Sequence, residues 1–157
     1  MGRHILIFSL LFTSLLWAQQ GPKLSINIAD EKVNITSEEQ RSGITNYSPG
    51  DTILYILTSK NVGDALMTNP VITDPVPAGV SYVENSDEGL DSEVVFSING
   101  GKTYETWPLY YSVRNSRGII VRKKASADLV THIRWNIQAN LEAGESHIAK
   151  FMVVVNP

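Results

Sequence analysis

Apolar and polar residues alternate along most of the chain, and this pattern limits the fold more than any other feature of the sequence. In residues 132–137, Ile133, Trp135 and Ile137 alternate with polar residues. A period of two places successive side chains on opposite faces of a β-strand. The pattern recurs at 24–28, 52–60, 71–73, 80–82, 94–98 and 149–155. The sequence therefore predicts an all-β fold of about seven strands.

Turn-forming residues separate these strands. Gly, Pro, Asn or Asp occupy each of 48–51, 61–64, 77–79, 99–101 and 142–145, and these residue types reach the φ values that turns require. Asn99-Gly100, between Ile98 and residues 102–104, predicts a hairpin. No segment after residue 20 shows a helical stripe. Short strands with frequent turns predict an antiparallel β-sandwich.

The last two predicted strands suggest a register. A turn centred on Ala143 would pair Trp135 with Phe151, Ile133 with Val153 and Ile137 with Ala149, so that inward residues meet inward residues. On this basis, we expect the two strands to form a hairpin. We place the centre of the core at Trp135, Phe151 and Tyr55.

The N-terminal segment predicts export. Residues 5–17 form an apolar run after Arg3 and His4, and Ala18 provides a small residue for cleavage. The run is shorter than the roughly 20 residues of a membrane-spanning helix and is typical of a signal peptide; the alternatives are a buried helix or a retained anchor. We expect a signal peptide at 1–18 and one domain at 19–157, located in the periplasm, at the cell surface or outside the cell. No further run is long enough to span a membrane.

Composition excludes several functions. The chain of 157 residues has a net charge of −3 and no cysteine. The absence of cysteine excludes disulfides, thiolate metal sites and a cysteine nucleophile, and the absence of a basic excess gives no indication of nucleic-acid binding. The core alone must therefore stabilise the domain.

Several motifs together resemble a known family. They are YSPGDTILY at 47–55, NVGDA at 61–65, VITDPVPAGV at 71–80, WNI at 135–137 and LEAGES at 141–146. Over residues 24–155 the chain resembles the bacterial surface-protein repeat known as domain of unknown function 11. The resemblance implies an immunoglobulin-like sandwich of exported or cell-surface proteins, often in tandem, with no known active site.

The chain departs from the family pattern in three ways. It contains one copy, without an internal repeat, and its segment 84–129 is longer and more polar than the short form of the domain. Leu54 and Ile56 are apolar where the outward face of that strand often carries Thr. Either the middle segment covers these two residues, which we favour, or they form a docking face for a partner.

No catalytic set is evident. His132 and His147 are predicted to be outward surface residues, roughly 23 Å apart in the proposed register. There is no Gly-x-Ser-x-Gly elbow and no phosphate loop, and nothing singles out two acids for a hydrolase. The sequence predicts a non-catalytic protein that needs no cofactor or metal.

Two charged runs allow alternative interpretations. Residues 84–93 contain five acids, which indicate a solvated loop or, less readily, part of a calcium site. Arg114, Arg117, Arg122, Lys123 and Lys124 are five bases in eleven residues. They indicate a loop facing water, which we favour, or a patch for an acidic polymer or lipid headgroups.

Four aromatic residues, Tyr104, Trp107, Tyr110 and Tyr111, lie within eight positions. Exposed, they could stack on sugar rings; buried, they would cap one end of the sandwich. We predict a non-catalytic module that binds an envelope or extracellular protein, with polysaccharide binding as the alternative. The candidate contacts are Tyr104, Trp107, Tyr110, Tyr111, Arg117, Arg122, Lys123 and Lys124.

Overall fold

Antiparallel strands make up most of the structure, a computed structural model that describes residues 21–157. The predicted signal peptide at 1–18 lies outside the described residues. The all-β class is confirmed, although the described residues form ten strands rather than about seven. The strands are β1 (Leu24–Lys32), β2 (Thr52–Asn61), β3 (Val71–Pro75), β4 (Val80–Tyr82), β5 (Glu88–Gly89), β6 (Ser92–Ser97), β7 (Tyr110–Arg114), β8 (Ile120–Lys124), β9 (His132–Ile137) and β10 (Ser146–Val155).

Two sheets pack face to face around the core. The first has the order β1-β2-β10-β4, with the short β5 also paired to β10. The second has the order β3-β9-β6. Strands β7 and β8 form a separate two-stranded sheet. Because the first sheet is wider than the second, its edge strand β1 has few residues opposite it.

The predicted hairpin between the last two strands is wrong. Strand β9 pairs with β3 and β6, placing Ile72 and Val94 beside Trp135. Strand β10 pairs with β2, placing Tyr55 beside Phe151. Alternation requires only that inward side chains meet, and two strands on opposite sheets satisfy that requirement as well as two neighbours do. The connection 138–145 is long enough to cross between the sheets.

The prediction of which apolar side chains of β9 and β10 point inward is nevertheless confirmed. Trp135 and Phe151 are completely buried, and their ring centroids lie 5.9 Å apart. Tyr55 stacks on Phe151 at 5.2 Å but is only partly buried, so it borders the core rather than occupying its centre. The other completely or nearly completely buried apolar residues include Leu57, Ile72, Phe96, Ile133, Ile137, Ala149 and Val153.

One short helix, α1 (Ser37–Ser42), was not expected from the sequence. A capping box explains it: the Thr36 side chain accepts a hydrogen bond from the Glu39 backbone, and the Glu39 carboxylate accepts one from Thr36 N. Gly43, at φ 67°, ends the helix. With six residues, none of them buried, α1 is held by local contacts and gives no apolar stripe to detect.

The predicted turn at Asn99-Gly100 is present, but it leads into a single bridge rather than a second full strand. Phe96 and Glu105 exchange both backbone hydrogen bonds, at 2.8 and 3.0 Å. The Asn99 side chain accepts hydrogen bonds from the backbone of Lys102 and Thr103, which widens the turn. This wider turn directs the chain toward the two-stranded sheet.

Candidate functional site: a basic hairpin

Strands β7 and β8 form a hairpin, residues 110–124, that carries most of the residues singled out from the sequence. We call it the basic hairpin. Directly paired residues share a face, so Tyr110, Arg114 and Ile120 lie on one face together with Arg122 and Lys124. Tyr111 lies on the opposite face and packs against the core. The hairpin is thereby joined to the domain by one face and presents the other to solvent.

The exposed face is strongly positive. Arg114, Arg122 and Lys124 project from it, Arg117 lies in the turn, and Lys123 pairs with Tyr111 on the other face. All five are exposed, and residues 106–127 contain no Asp or Glu. Five cations without a neighbouring acid in the same segment create a local positive potential in a chain whose net charge is negative.

Internal hydrogen bonds define the turn of the basic hairpin. The Asn115 side chain accepts hydrogen bonds from the backbone of Arg117 and Ile119, both at 3.0 Å. The Arg114 guanidinium donates to the Gly118 carbonyl at 2.6 Å. Ile119 and Ile120 are 57% and 64% exposed, so apolar side chains accompany the cations at this end. The turn thus presents isoleucine and arginine side chains together to solvent.

Glu84 ties the base of the hairpin to the body of the domain. Its carboxylate accepts a hydrogen bond from the Trp107 indole at 2.6 Å and lies 3.1 Å from the Lys124 ammonium group. The Trp107 hydrogen bond, followed by Lys124, lowers the pKa of Glu84. The pair is half exposed and contributes little stability. It partly neutralises Lys124 and leaves the four other cations without an ion pair within residues 21–157.

The four predicted aromatic contacts do not form one flat shelf. Trp107 packs edge-on against Tyr82 and Phe96, with centroid distances of 6.2 and 5.7 Å. The Arg134 guanidinium covers the ring of Tyr104 at 3.6 Å. Tyr110 is 42% exposed and carries Arg122 over its ring at 4.2 Å. Together with the packed Tyr111, the four rings occupy different environments.

The acidic run 84–93 is dispersed by secondary structure. Glu84 is engaged by Trp107, Asp87 accepts a hydrogen bond from the Tyr82 hydroxyl, and Glu88 belongs to β5. The Glu88 carbonyl accepts a hydrogen bond from the Trp135 indole at 3.0 Å. Across residues 21–157, no cluster of three or more His, Asp or Glu residues has the geometry to hold a metal ion.

The prediction that both histidines are outward surface residues is wrong for His147, which is 8% exposed. His147 is two residues before Ala149 and four before Phe151 along β10, so it shares their inward face. Its Nε2 lies 2.7 Å from the Leu90 carbonyl, which can only accept, so Nε2 carries the proton. His132 is partly exposed and lies on the outward face of β9.

Sequence reasoning missed the contact between His147 and Ser92, which are 55 positions apart and lie 3.0 Å from each other. A serine nucleophile needs an imidazole nitrogen that accepts its proton. The Leu90 carbonyl already engages Nε2, and Nδ1 is buried with no hydrogen-bond partner among residues 21–157. The contact between Ser92 and His147 is therefore a structural link that joins residues 90–92 to β10.

Leu54 and Ile56 lie on the outer face of β2 and are half-buried. Their neighbours across the sheet are Met152 and Lys150 of β10. The outward face of the first sheet is thus partly apolar at Leu54, Ile56 and Met152.

Comparisons with family models, with curated proteins and with solved structures gave no match. Within the described residues, no helix is long and apolar enough to cross a membrane. No pocket was found in the part of the chain that the structure describes.

Proposed function

We propose that this chain is a non-catalytic module, exported from a bacterial cell, that binds an acidic surface of another envelope or extracellular protein through the basic hairpin. The observation that carries the proposal is the exposed face of that hairpin, with Arg114 and Arg122 beside Tyr110 and Ile120 and no acid within the segment. Arg and Tyr are enriched where protein interfaces bury their strongest contacts.

Three further features support the proposal. The apolar run at 5–17 is typical of a signal peptide, and the motifs between 47 and 146 resemble the family of domain of unknown function 11. Two packed antiparallel sheets are compatible with the immunoglobulin-like sandwich of that family. Such a sandwich provides a rigid support from which a hairpin can present its side chains.

A charge-reversal pair tests the proposal. We expect Arg117→Glu with Arg122→Glu to abolish capture of a partner from a cross-linked envelope fraction. The matched control, Lys60→Glu with Lys102→Glu, changes the net charge equally at exposed positions outside the hairpin. Capture should fall as salt rises, since exposed charges are screened. Equal capture by both double variants, or no capture by the unmodified protein, would overturn the proposal.

Polysaccharide binding is the second candidate, and the exposed ring of Tyr110 favours it. It predicts that a polysaccharide in a native gel retards the protein and that Tyr110→Ala and Trp107→Ala each remove the retardation. A retardation that survives both substitutions, or none at all, would exclude this candidate.

A further inference from the structure

Strand β1 lies at the edge of the first sheet. It pairs with β2 and with no other strand among residues 21–157. Ile26 and Ile28 lie opposite Ser59 and Leu57 of β2 and share their inward face. The two β2 residues are almost completely buried, whereas Ile26 and Ile28 are 44% and 49% exposed. The second sheet therefore does not cover the inward face of β1.

The backbone of β1 offers hydrogen-bonding groups at its free edge. The Lys23 carbonyl accepts from Val62 N at 2.8 Å, and Val33 N donates to the Thr52 carbonyl at 2.9 Å. Because hydrogen-bonded pairs alternate along an antiparallel ladder, odd-numbered residues of β1 bond to β2. The N–H and C=O groups of Ile26, Ile28 and their even-numbered neighbours consequently point away from the sheet.

The strand has few of the features that prevent edge-to-edge pairing. Residues 24–31 contain neither proline nor lysine. Asp30 is the one charge on their inward face, and its carboxylate accepts a hydrogen bond from the Tyr47 hydroxyl. Lys32, which could have blocked the edge, is turned away into contacts with Glu39 and Asp51. Lys23 and Glu31 are exposed and form no ion pair in the described part of the chain.

We propose that β1 pairs antiparallel with β1 of a second copy of this chain, about a two-fold axis at Asn27. In this register, Ile26 of each copy lies opposite Ile28 of the other, and Lys23 lies opposite Glu31. Even-numbered residues face even-numbered residues, so their free backbone groups bond to each other. No like charges lie directly opposite, and four isoleucine side chains become mutually covered.

Self-complementarity identifies the occupant as a second copy. A two-fold interface requires one strand to match its own reversed sequence. In β1, Ile26 matches Ile28 and Lys23 matches Glu31, whereas Leu24 lies opposite Asp30. Shifting the register by two residues so that Ile28 lies opposite Ile28 would set Ile26 against Asp30 and Leu24 against Lys32, and it would lose the pairing of Lys23 with Glu31. The proposal concerns a different face from the basic hairpin and does not depend on the proposed function.

Charge reversal provides a test with an internal rescue. Sedimentation velocity would be measured over a dilution series of the protein, expressed from its full coding sequence and purified in the form that accumulates. We expect a dimer that Lys23→Glu or Glu31→Lys alone weakens about tenfold, because each creates two like-charge pairs. An equimolar mixture of the two single variants should restore the dimer, since both glutamates of one variant would then face both lysines of the other.

A cysteine pair tests the register. The chain has no cysteine, so any disulfide in a single-cysteine variant must join two copies. Asn27→Cys places the two thiols opposite each other in a non-hydrogen-bonded pair with Cα atoms about 4.5 Å apart, and it should form a disulfide dimer under mild oxidation. The control Ser25→Cys places them about 13 Å apart along the strands and should not.

Defined results would overturn the proposal. Any one of three results is enough: a monomer throughout the dilution series, a dimer that neither single charge reversal weakens, or failure of the mixed variants to associate. Equal cross-linking at positions 25 and 27, or none at position 27, would also overturn the proposed pairing. Folding of each variant is checked by its thermal transition, so that loss of the dimer is distinguished from unfolding.

Discussion

Trp135 and Phe151 are in contact across the two sheets, with their ring centroids 5.9 Å apart and their planes inclined by 43°. The contact joins the middle strand of the second sheet to a central strand of the first. Both side chains are completely buried, and Tyr55 extends the aromatic group by stacking on Phe151. The two sheets are thus connected at their centres by aromatic packing.

Replacement of Trp135 by Ala should lower the free energy of unfolding by about 3–5 kcal/mol, because the substitution leaves a large cavity between the sheets. It also removes the indole donor from the Glu88 carbonyl. Urea denaturation measures the loss. The control Tyr110→Ala, at a 42% exposed aromatic residue, should change stability by no more than about 0.5 kcal/mol. Equal losses in the two variants would contradict this account of the core.

Asn61 should be important for stability despite its polarity. It is completely buried, and its amide donates to the carbonyls of Ala65 and Leu141 at 2.8 and 2.9 Å. Asn61→Ala should cost about 2–4 kcal/mol, because the Ala65 carbonyl loses this donor and the Leu141 carbonyl keeps only Met67 N. The backbone N–H groups of Lys23 and Gly63 also lose the Asn61 side-chain oxygen as acceptor. Chemical denaturation would measure this cost. The control Asn136→Ala removes only a long hydrogen bond of 3.4 Å to Glu93 and should be close to neutral.

Acid should destabilise the protein through the ion cluster at the end of β1. Lys32 lies 3.0 Å from Glu39 and 2.8 Å from Asp51. Hydrogen bonds from the Thr36 backbone, and then from Lys32, lower the pKa of Glu39 from 4.5 to about 2. The folded state therefore binds protons less readily than the unfolded state, and stability falls as pH falls. This contribution is complete above about pH 4.5 and is lost toward pH 2.

Glu39→Gln should flatten the dependence of unfolding free energy on pH between about 4.5 and 2. Gln can keep the capping geometry, so the helix itself is retained. Chemical denaturation at a series of pH values provides the measurement, with the exposed neighbour Glu38→Gln as the control. An unchanged slope in the Glu39 variant would show that the cluster does not govern the acid response.

Gly63 should not tolerate a side chain. A Cβ at this position would lie 2.0 Å from the Gly21 carbonyl oxygen and 2.6 Å from Lys23 N, both of which are backbone atoms. Gly63→Ala should therefore displace the strand entering β1 and cost about 1–3 kcal/mol, as read from a thermal or urea transition. Val62→Ala, at an exposed neighbour, serves as the control. A neutral Gly63→Ala would mean that residues 21–23 are not held against this turn.

Residue types alone predicted the class of fold and the facing of several strands. Ile133, Trp135 and Ile137 were assigned inward from their spacing, and all three are buried. His147 shows the limit of assignment by residue type: it was expected to be outward because it is polar, although its parity with Ala149 places it inward. Its hydrogen bond to Leu90 compensates for burying the ring nitrogen.

The candidate site could be predicted only in part. The bases between Arg114 and Lys124 were recognised from their spacing, but their distribution over the two faces of a hairpin depends on the register of β7 and β8. The contact of Glu84 with Trp107 and Lys124 joins residues 23 and 40 positions apart. No local pattern encodes such a distance, since the chain path between them is set by the whole fold.

The sequence by itself determined that the chain forms strands, which side chains of most strands point inward, and where the chain turns. These properties are local, because a period of two and the φ preferences of Gly, Pro, Asn and Asp act over a few residues. Only the tertiary structure decided that β9 and β10 lie in opposite sheets and that, among residues 21–157, β1 has a paired strand on one side only. Strand partners are chosen by long-range packing and hydrogen bonding, and several pairings satisfy the same alternation equally well.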